Sequence, residues 1–179
     1  MIVREASVAD AAGIARVHVD SWRTTYTGLV PERVLARRSY ADRQEYWEWA
    51  LTSPEPPRAV FVAENEAGEI VGFASGGPER AENLDYEGEL YALYLLDEYQ
   101  GRGLGSRLIG EVARYLWDYG VASLLVWVLS SNPAAKFYER LGGIKVGEKE
   151  EILAGVALRE YAYGWQEIET LIQASGTRI

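Results

Sequence analysis

Glu89-Leu-Tyr-Ala-Leu-Tyr-Leu-Leu96, Asp97-Glu-Tyr-Gln-Gly-Arg-Gly-Leu-Gly105 and the run from Ser106 to Tyr119 form one continuous stretch that sets the architecture of the chain. Its first part is rich in aromatic and branched apolar residues and suits a strand. Its last part carries Leu104, Leu108, Val112 and Leu116 at helical spacing, with Arg107, Glu111, Arg114 and Asp118 on the opposite face. Between strand and helix lies a turn with glycines at 101, 103 and 105. Such a turn offers unpaired N–H groups and the positive end of a helix dipole, which together suit a phosphate.

Working outward, the N-terminal side opens with a short strand at residues 2–5. Ser7 then caps a helix, with Asp10 three residues later as the capping-box acid, and that helix runs to about Thr24. Gly28 breaks the chain, Pro31 starts a second short helix, and residues 40–52 form a third in which Trp47 and Trp49 are expected to pack. Ser53-Pro-Glu-Pro-Pro57 is a stiff loop. Residues 59–64 and 69–75 read as a hairpin about the turn 65–68, Gly76-Gly-Pro78 ends it, and an acidic loop leads to the strand at 86–96.

On the C-terminal side, Ser123-Leu-Leu-Val-Trp-Val-Leu129 is a nearly continuous apolar run, as in a strand buried on both faces. Asn132-Pro133 begins a short helix through Arg140 that Gly142-Gly143 ends. Strands at 144–152 and 156–164 and a helix at 165–173 complete a single domain over residues 1–174, with 175–179 expected to fray. The order of elements is that of a mixed α/β layer fold, not of regular βαβ alternation.

Composition removes several chemistries. The chain has 179 residues, no cysteine and one histidine, His18, so disulfides, thiolate nucleophiles and clustered His or Cys metal sites are excluded and no metal is expected. A formal charge of −9 argues against nucleic acid as a partner and is compatible with a cationic substrate. No apolar run approaches a membrane span and the N-terminus lacks a signal pattern, which leaves a cytoplasmic protein as the expectation.

Three phosphate-binding readings compete for the glycine turn. A P-loop needs a lysine that is absent after these glycines. A dinucleotide fingerprint needs a third glycine where Ser106 stands, and an acid in the next strand that Ser123–Leu129 lacks. The pattern Gln/Arg-x-x-Gly-x-Gly/Ala is satisfied in full by Gln100-Gly-Arg-Gly-Leu-Gly105.

With Asn132-Pro-Ala-Ala-Lys-Phe-Tyr138-Glu-Arg-Leu-Gly-Gly143 following the next strand, and Ser21-Trp-Arg-Thr-Thr-Tyr26-Thr-Gly28-Leu-Val-Pro31 ahead of it, the chain resembles the GCN5-related N-acetyltransferases over nearly its whole length. The resemblance implies a bent, mostly antiparallel sheet of about seven strands flanked by helices. Strands four and five would splay, with acetyl-CoA in the gap. It also implies that the backbone of Gly101, Arg102, Gly103, Leu104, Gly105 and Ser106, with Gln100, holds the pyrophosphate. Leu93 and Leu95 would pair with the pantetheine arm as an added strand does. Family members often carry proline where this chain has Asp97, so the entry to the turn is expected to be less rigid.

Acetyl transfer to an amine needs removal of the amine proton, alignment of amine and thioester, and protection of the departing thiolate. By the resemblance, Tyr138 is the proton donor to the thiolate, and its alternative role is packing beside Phe137. Asn132 is a cofactor contact or a plain helix N-cap. Glu89, eleven residues before Gln100, matches the catalytic glutamate of histone-type members; it is a base, an anchor for a cationic acceptor, or a solvated acid. Trp22 and Tyr26 match the region that overhangs the acetyl site and are acceptor-pocket candidates or core aromatics. The partners implied are acetyl-CoA and an amine acceptor, and a homodimer is compatible with the family. A non-catalytic acyl-CoA-binding or sensing module is the rival reading.

Overall fold

The periodicities resolve into elements close to their expected bounds: β1 (Ile2–Glu5), α1 (Ala11–Tyr26), α2 (Glu32–Leu35), α3 (Tyr40–Thr52), β2 (Ala59–Glu64), β3 (Ile70–Pro78), β4 (Gly88–Leu95), α4 (Leu104–Asp118), β5 (Leu124–Leu129), α5 (Ala134–Arg140), β6 (Ile144–Leu153), β7 (Val156–Trp165) and α6 (Ile168–Ser175). The computed structural model describes residues 1–53, 58–80 and 84–178. Most of the expected stiff loop, residues 54–57, therefore lies outside the described residues, as do 81–83 of the acidic loop and the terminal residue 179.

The strands form one seven-stranded sheet in the order β1-β2-β3-β4-β5-β7-β6, antiparallel throughout except for the parallel pair β4–β5. This is the mixed, mostly antiparallel sheet that the resemblance implied. Each face has its own core. On one, α4 buries Leu104, Leu108, Val112 and Leu116 against Phe61, Val71 and Ala74, and α6 adds Ile168, Leu171 and Ile172. On the other, Ile14 and Val17 of α1 and Trp47 of α3 meet Val60, Val62 and Phe73. The polar face of α4 is as expected, with Arg114 paired to Glu111 and Asp118. Among the described residues no helix is long and apolar enough to cross a membrane.

Several bounds move for identifiable reasons. Strand β3 continues through Gly76 to Pro78, because a backbone without a side chain lets Val112 of α4 approach; a Cβ at Gly76 would stand 2.7 Å from Val112 Cγ1. Trp165 belongs to β7 and not to the last helix: it pairs with Leu124, and its indole N–H donates to the Leu141 carbonyl at 2.8 Å. Trp49, expected to pack, is 55% exposed, because it lies off the α3 face that buries Trp47 and Ala50. The capping box forms, with the Ser7 N–H donating to the Asp10 carboxylate at 2.7 Å. Arg4 clamps that carboxylate and holds its pKa down to about 2.

Candidate active site

Strands β4 and β5 run side by side for three residue pairs only, Gly88–Leu124, Glu89–Leu125 and Leu90–Val126. Where the pairing stops, Tyr91 is an extra residue in the β3–β4 ladder, since Ser75 pairs with Ala92 and Gly76 with Leu90. A bulge of this kind bends and twists its strand. The Tyr91 hydroxyl secures the bend by donating to the Pro78 carbonyl at 2.6 Å. Beyond it, the two strands part around a cleft of about 840 Å³.

The cleft has a backbone wall. The Leu96 N–H donates to the Val71 carbonyl, so alternation along an antiparallel strand turns the N–H and C=O groups of Leu95 and Leu93 the other way, toward the gap. Leu93 and Leu95 both line it. Gln100 takes part of this edge for itself, its side-chain amide donating to the Leu95 carbonyl at 3.1 Å. The same amide reaches Asp97 Oδ1 at 3.1 Å, and the Gln100 N–H meets the Asp97 carbonyl. Asp97 is thus tied into the turn by hydrogen bonds, where a less rigid entry was expected.

At one end of the cleft the glycine turn meets α4. Gly101 and Gly103 have φ of +70° and +78°, a region that side chains resist, and Gly103 is the helix N-cap. The first helical bond runs from the Arg107 N–H to the Gly103 carbonyl, so the N–H groups of Leu104, Gly105 and Ser106 have no acceptor within the helix. Gly101, Gly103, Gly105 and Ser106 line the cleft. Leu104 contributes only its N–H, its side chain being buried, and the Arg102 guanidinium lies over the Tyr99 ring at 5.5 Å. Arg140, which the sequence reading passed over, also faces the cleft and has no ion pair among the described residues. A row of free N–H groups beside an unpaired guanidinium fits a pyrophosphate.

Asn132 lines the cleft and also caps α5, its Oδ1 accepting from the Ala134 N–H at 2.9 Å, so capping leaves its amide N–H₂ free for a second role. Tyr138 is 4% exposed, with its ring against Phe137, Tyr163 and Trp165. Phe137, not Tyr138, lines the cleft wall. The Tyr138 hydroxyl has no hydrogen-bond partner among the described residues, and burial, helped by nearby Tyr94, pushes its pKa well above the ordinary tyrosine value. Glu89 is buried and held: Arg80 donates from Nη2 at 2.6 Å, from Nε at 3.2 Å and from its backbone N–H at 3.1 Å. It stands at the closed end of the strand pair, opposite Leu125.

The acceptor candidates also separate. Trp22 is 3% exposed in a small core with Val30 and Leu35, stacked on Tyr26 at 4.8 Å between centroids, and neither ring is part of the cleft wall. The wall there is Ser21, Thr24 and Thr25 of α1 with Tyr94 of β4. The Ser21 hydroxyl is buried without a hydrogen-bond partner among the described residues. Alternation would have found Tyr94, which points to the opposite face from Leu93 and Leu95; the hydroxyls of α1 carried no signal beyond their spacing.

Comparison with known proteins gives the family and the fold. A sequence model of the acetyltransferase (GNAT) family matches residues 18–143. An uncharacterized N-acetyltransferase of Bacillus subtilis, YuaI, is 41% identical over 169 residues, covering 94% of this chain and 95% of the relative. An L-methionine sulfoximine/L-methionine sulfone acetyltransferase of Pseudomonas aeruginosa is 28% identical over 142 residues, 78% of each chain. Among solved structures, yncA of Salmonella typhimurium, determined with its cofactor acetyl-CoA, superposes with a TM-score of 0.69 at 23% identity over 93% of both chains.

Proposed function

The chain belongs to the GNAT family of acetyltransferases, and from that premise we propose that it moves an acetyl group from acetyl-CoA to the amine of an acceptor bound at the same time. The observation that carries the reading is the row of unbonded N–H groups at the start of α4, set at the end of a cleft that opens where β4 and β5 part. Acetyl-CoA supplies an activated thioester carbonyl: the amine nitrogen takes the acetyl group as the C–S bond breaks, and CoA departs as the thiol. In this reading Gly101 to Ser106 bind its pyrophosphate, helped by Arg140, while the edge of β4 at Leu93 and Leu95 aligns its arm. Phe137 excludes water from the gap.

Tyr138 is the proposed proton donor to the departing thiolate. Its raised pKa keeps the phenol protonated, so it donates a hydrogen bond that strengthens as charge grows on sulfur, passes its proton to that sulfur as the C–S bond breaks, and regains one from solvent. Glu89 is the proposed receiver of the amine proton, in a state where Arg80, whose side chain is 60% exposed, has swung off the carboxylate. A direct test is release of CoA thiol from acetyl-CoA in the presence of amines, amino acids and peptides with free N-termini. Acetylation of a member of the panel supports the enzyme. Tight acetyl-CoA binding with no turnover on any of them supports the non-catalytic module.

A further inference from the structure

Arg38 is a cation without a counter-ion among the described residues. It follows α2, is half-buried, and lies with its guanidinium carbon 4.2 Å over the Trp22 ring. Among the described residues none of its side-chain N–H groups has a hydrogen bond or an ion pair. Its position is nonetheless fixed, because Arg23 of α1 donates to the Arg38 carbonyl at 3.3 Å and also bonds Tyr40, which in turn bonds Asp20. Arg43 stands close enough to repel it, and burial together with that repulsion lowers its pKa. Two guanidiniums share a partly dry corner, and among the described residues neither has an ion pair, in a chain whose formal charge is −9. Crowding like charges away from water opposes folding and invites an anion.

The corner adjoins the cleft through α1: Trp22, which lies under Arg38, follows Ser21 and stacks on Tyr26, which follows Thr25, and Ser21 and Thr25 line the cleft. Arg38 acts electrostatically on Tyr26 and Tyr94, and Tyr94 lines the cleft. The same two phenols feel Glu160 of β7 with the opposite sign. Glu160 pairs with Leu129, where β5 has left β4, and its carboxylate meets Lys149 at 3.3 Å. On that sheet face Trp127 also presents an indole N–H that is buried without a partner. An acceptor in the cleft beside Tyr94 therefore has, on the Trp22 side, a cation without an ion pair among the described residues and, on the β7 side, a carboxylate.

Building on the acetyltransferase reading, we propose that Arg38 receives a carboxylate of the acceptor, so that the acceptor is a small amino acid with its amine turned toward the cleft. A guanidinium fork matches a carboxylate in two parallel N–H···O bonds, and the stack on Trp22 sets the plane of the fork. A protein N-terminus has no free α-carboxylate to offer, because that carboxyl is bound in a peptide bond.

The test compares free L-amino acids, methionine sulfone among them, with their carboxamides and decarboxylated amines, for wild type and for Arg38→Met and Arg38→Lys. Methionine keeps an apolar stem over Trp22. Wild type is expected to favour the acids. Arg38→Met should raise KM for them roughly 10- to 100-fold, the range for losing a hydrogen-bonded charge, with Arg38→Lys recovering part of it. The KM for carboxamides and the affinity for CoA should stay within about twofold, which also reports a folded variant. Equal use of acids and carboxamides by wild type overturns the assignment while leaving the acetyltransferase reading intact. So does an equal loss on both by the variant. If no member turns over, calorimetric titration of the acids into the CoA complex decides: binding that Arg38→Met does not weaken, or no binding, overturns the carboxylate site. Failure to bind CoA at all overturns the premise instead.

Discussion

Single side chains carry the chemistry, and burial decides what each can do. Tyr138 contributes its ring to packing and leaves its hydroxyl unbonded among the described residues, so the two roles can be separated by one atom. Tyr138→Phe should lower kcat at least about tenfold with CoA affinity and thermal stability nearly unchanged, since an unbonded hydroxyl contributes little to folding. An unaltered kcat under conditions where chemistry limits turnover would remove the proton-donor role. Glu89 differs because Arg80 already occupies both of its oxygens. If it receives the amine proton, Glu89→Gln should reduce kcat/KM by about 100-fold or more. A loss below about threefold would assign that proton to water and leave Glu89 as an anchor for Arg80.

At the level of elements, the parting of β4 and β5 makes the site, and the bulge at Tyr91 and the turn before α4 are what make it usable. The turn depends on residues without side chains at positive φ. Gly103→Asp should weaken CoA binding at least tenfold, by strain and by placing negative charge at the phosphate cradle; the strain alone is about 1–2 kcal/mol. Gly120→Asp is the control: Gly120 has φ of +86° at the far end of α4, with open space around it. It should lower stability by a similar amount and leave CoA affinity alone. Equal affinities in the two variants, measured by titration, would put the phosphate elsewhere.

The whole molecule holds its two helical layers on one sheet, and His18 shows how the acceptor-side layer responds to acid. His18 lies between Trp47, Phe73 and Tyr94, and its Nδ1 accepts from the Trp47 indole N–H at 3.2 Å. Burial first, then the charges of Arg43 and Arg38, push its pKa down from 6.5 to about 4. The folded-state value is the lower one, so the contribution to stability is complete above pH 6.5 and is lost as the pH falls toward 4, where only the unfolded chain takes the proton. The slope in that window is at most about 1.4 kcal/mol per pH unit. Urea midpoints from pH 7 to 4 should fall accordingly, and His18→Gln should flatten the fall. The sequence by itself determined the elements, the glycine turn before α4 and the family, because those rest on local periodicity, on glycines and on a few motifs within short spans. Only the tertiary structure decided which groups face the cleft. The pairing of β3 with β4 brought Arg80 onto Glu89, while contacts between distant segments left Arg38 without an ion pair among the described residues and set Tyr94 and Ser21 where Trp22 and Tyr26 were expected. Side-chain neighbours of that kind depend on sheet order and strand splay, which no local pattern encodes.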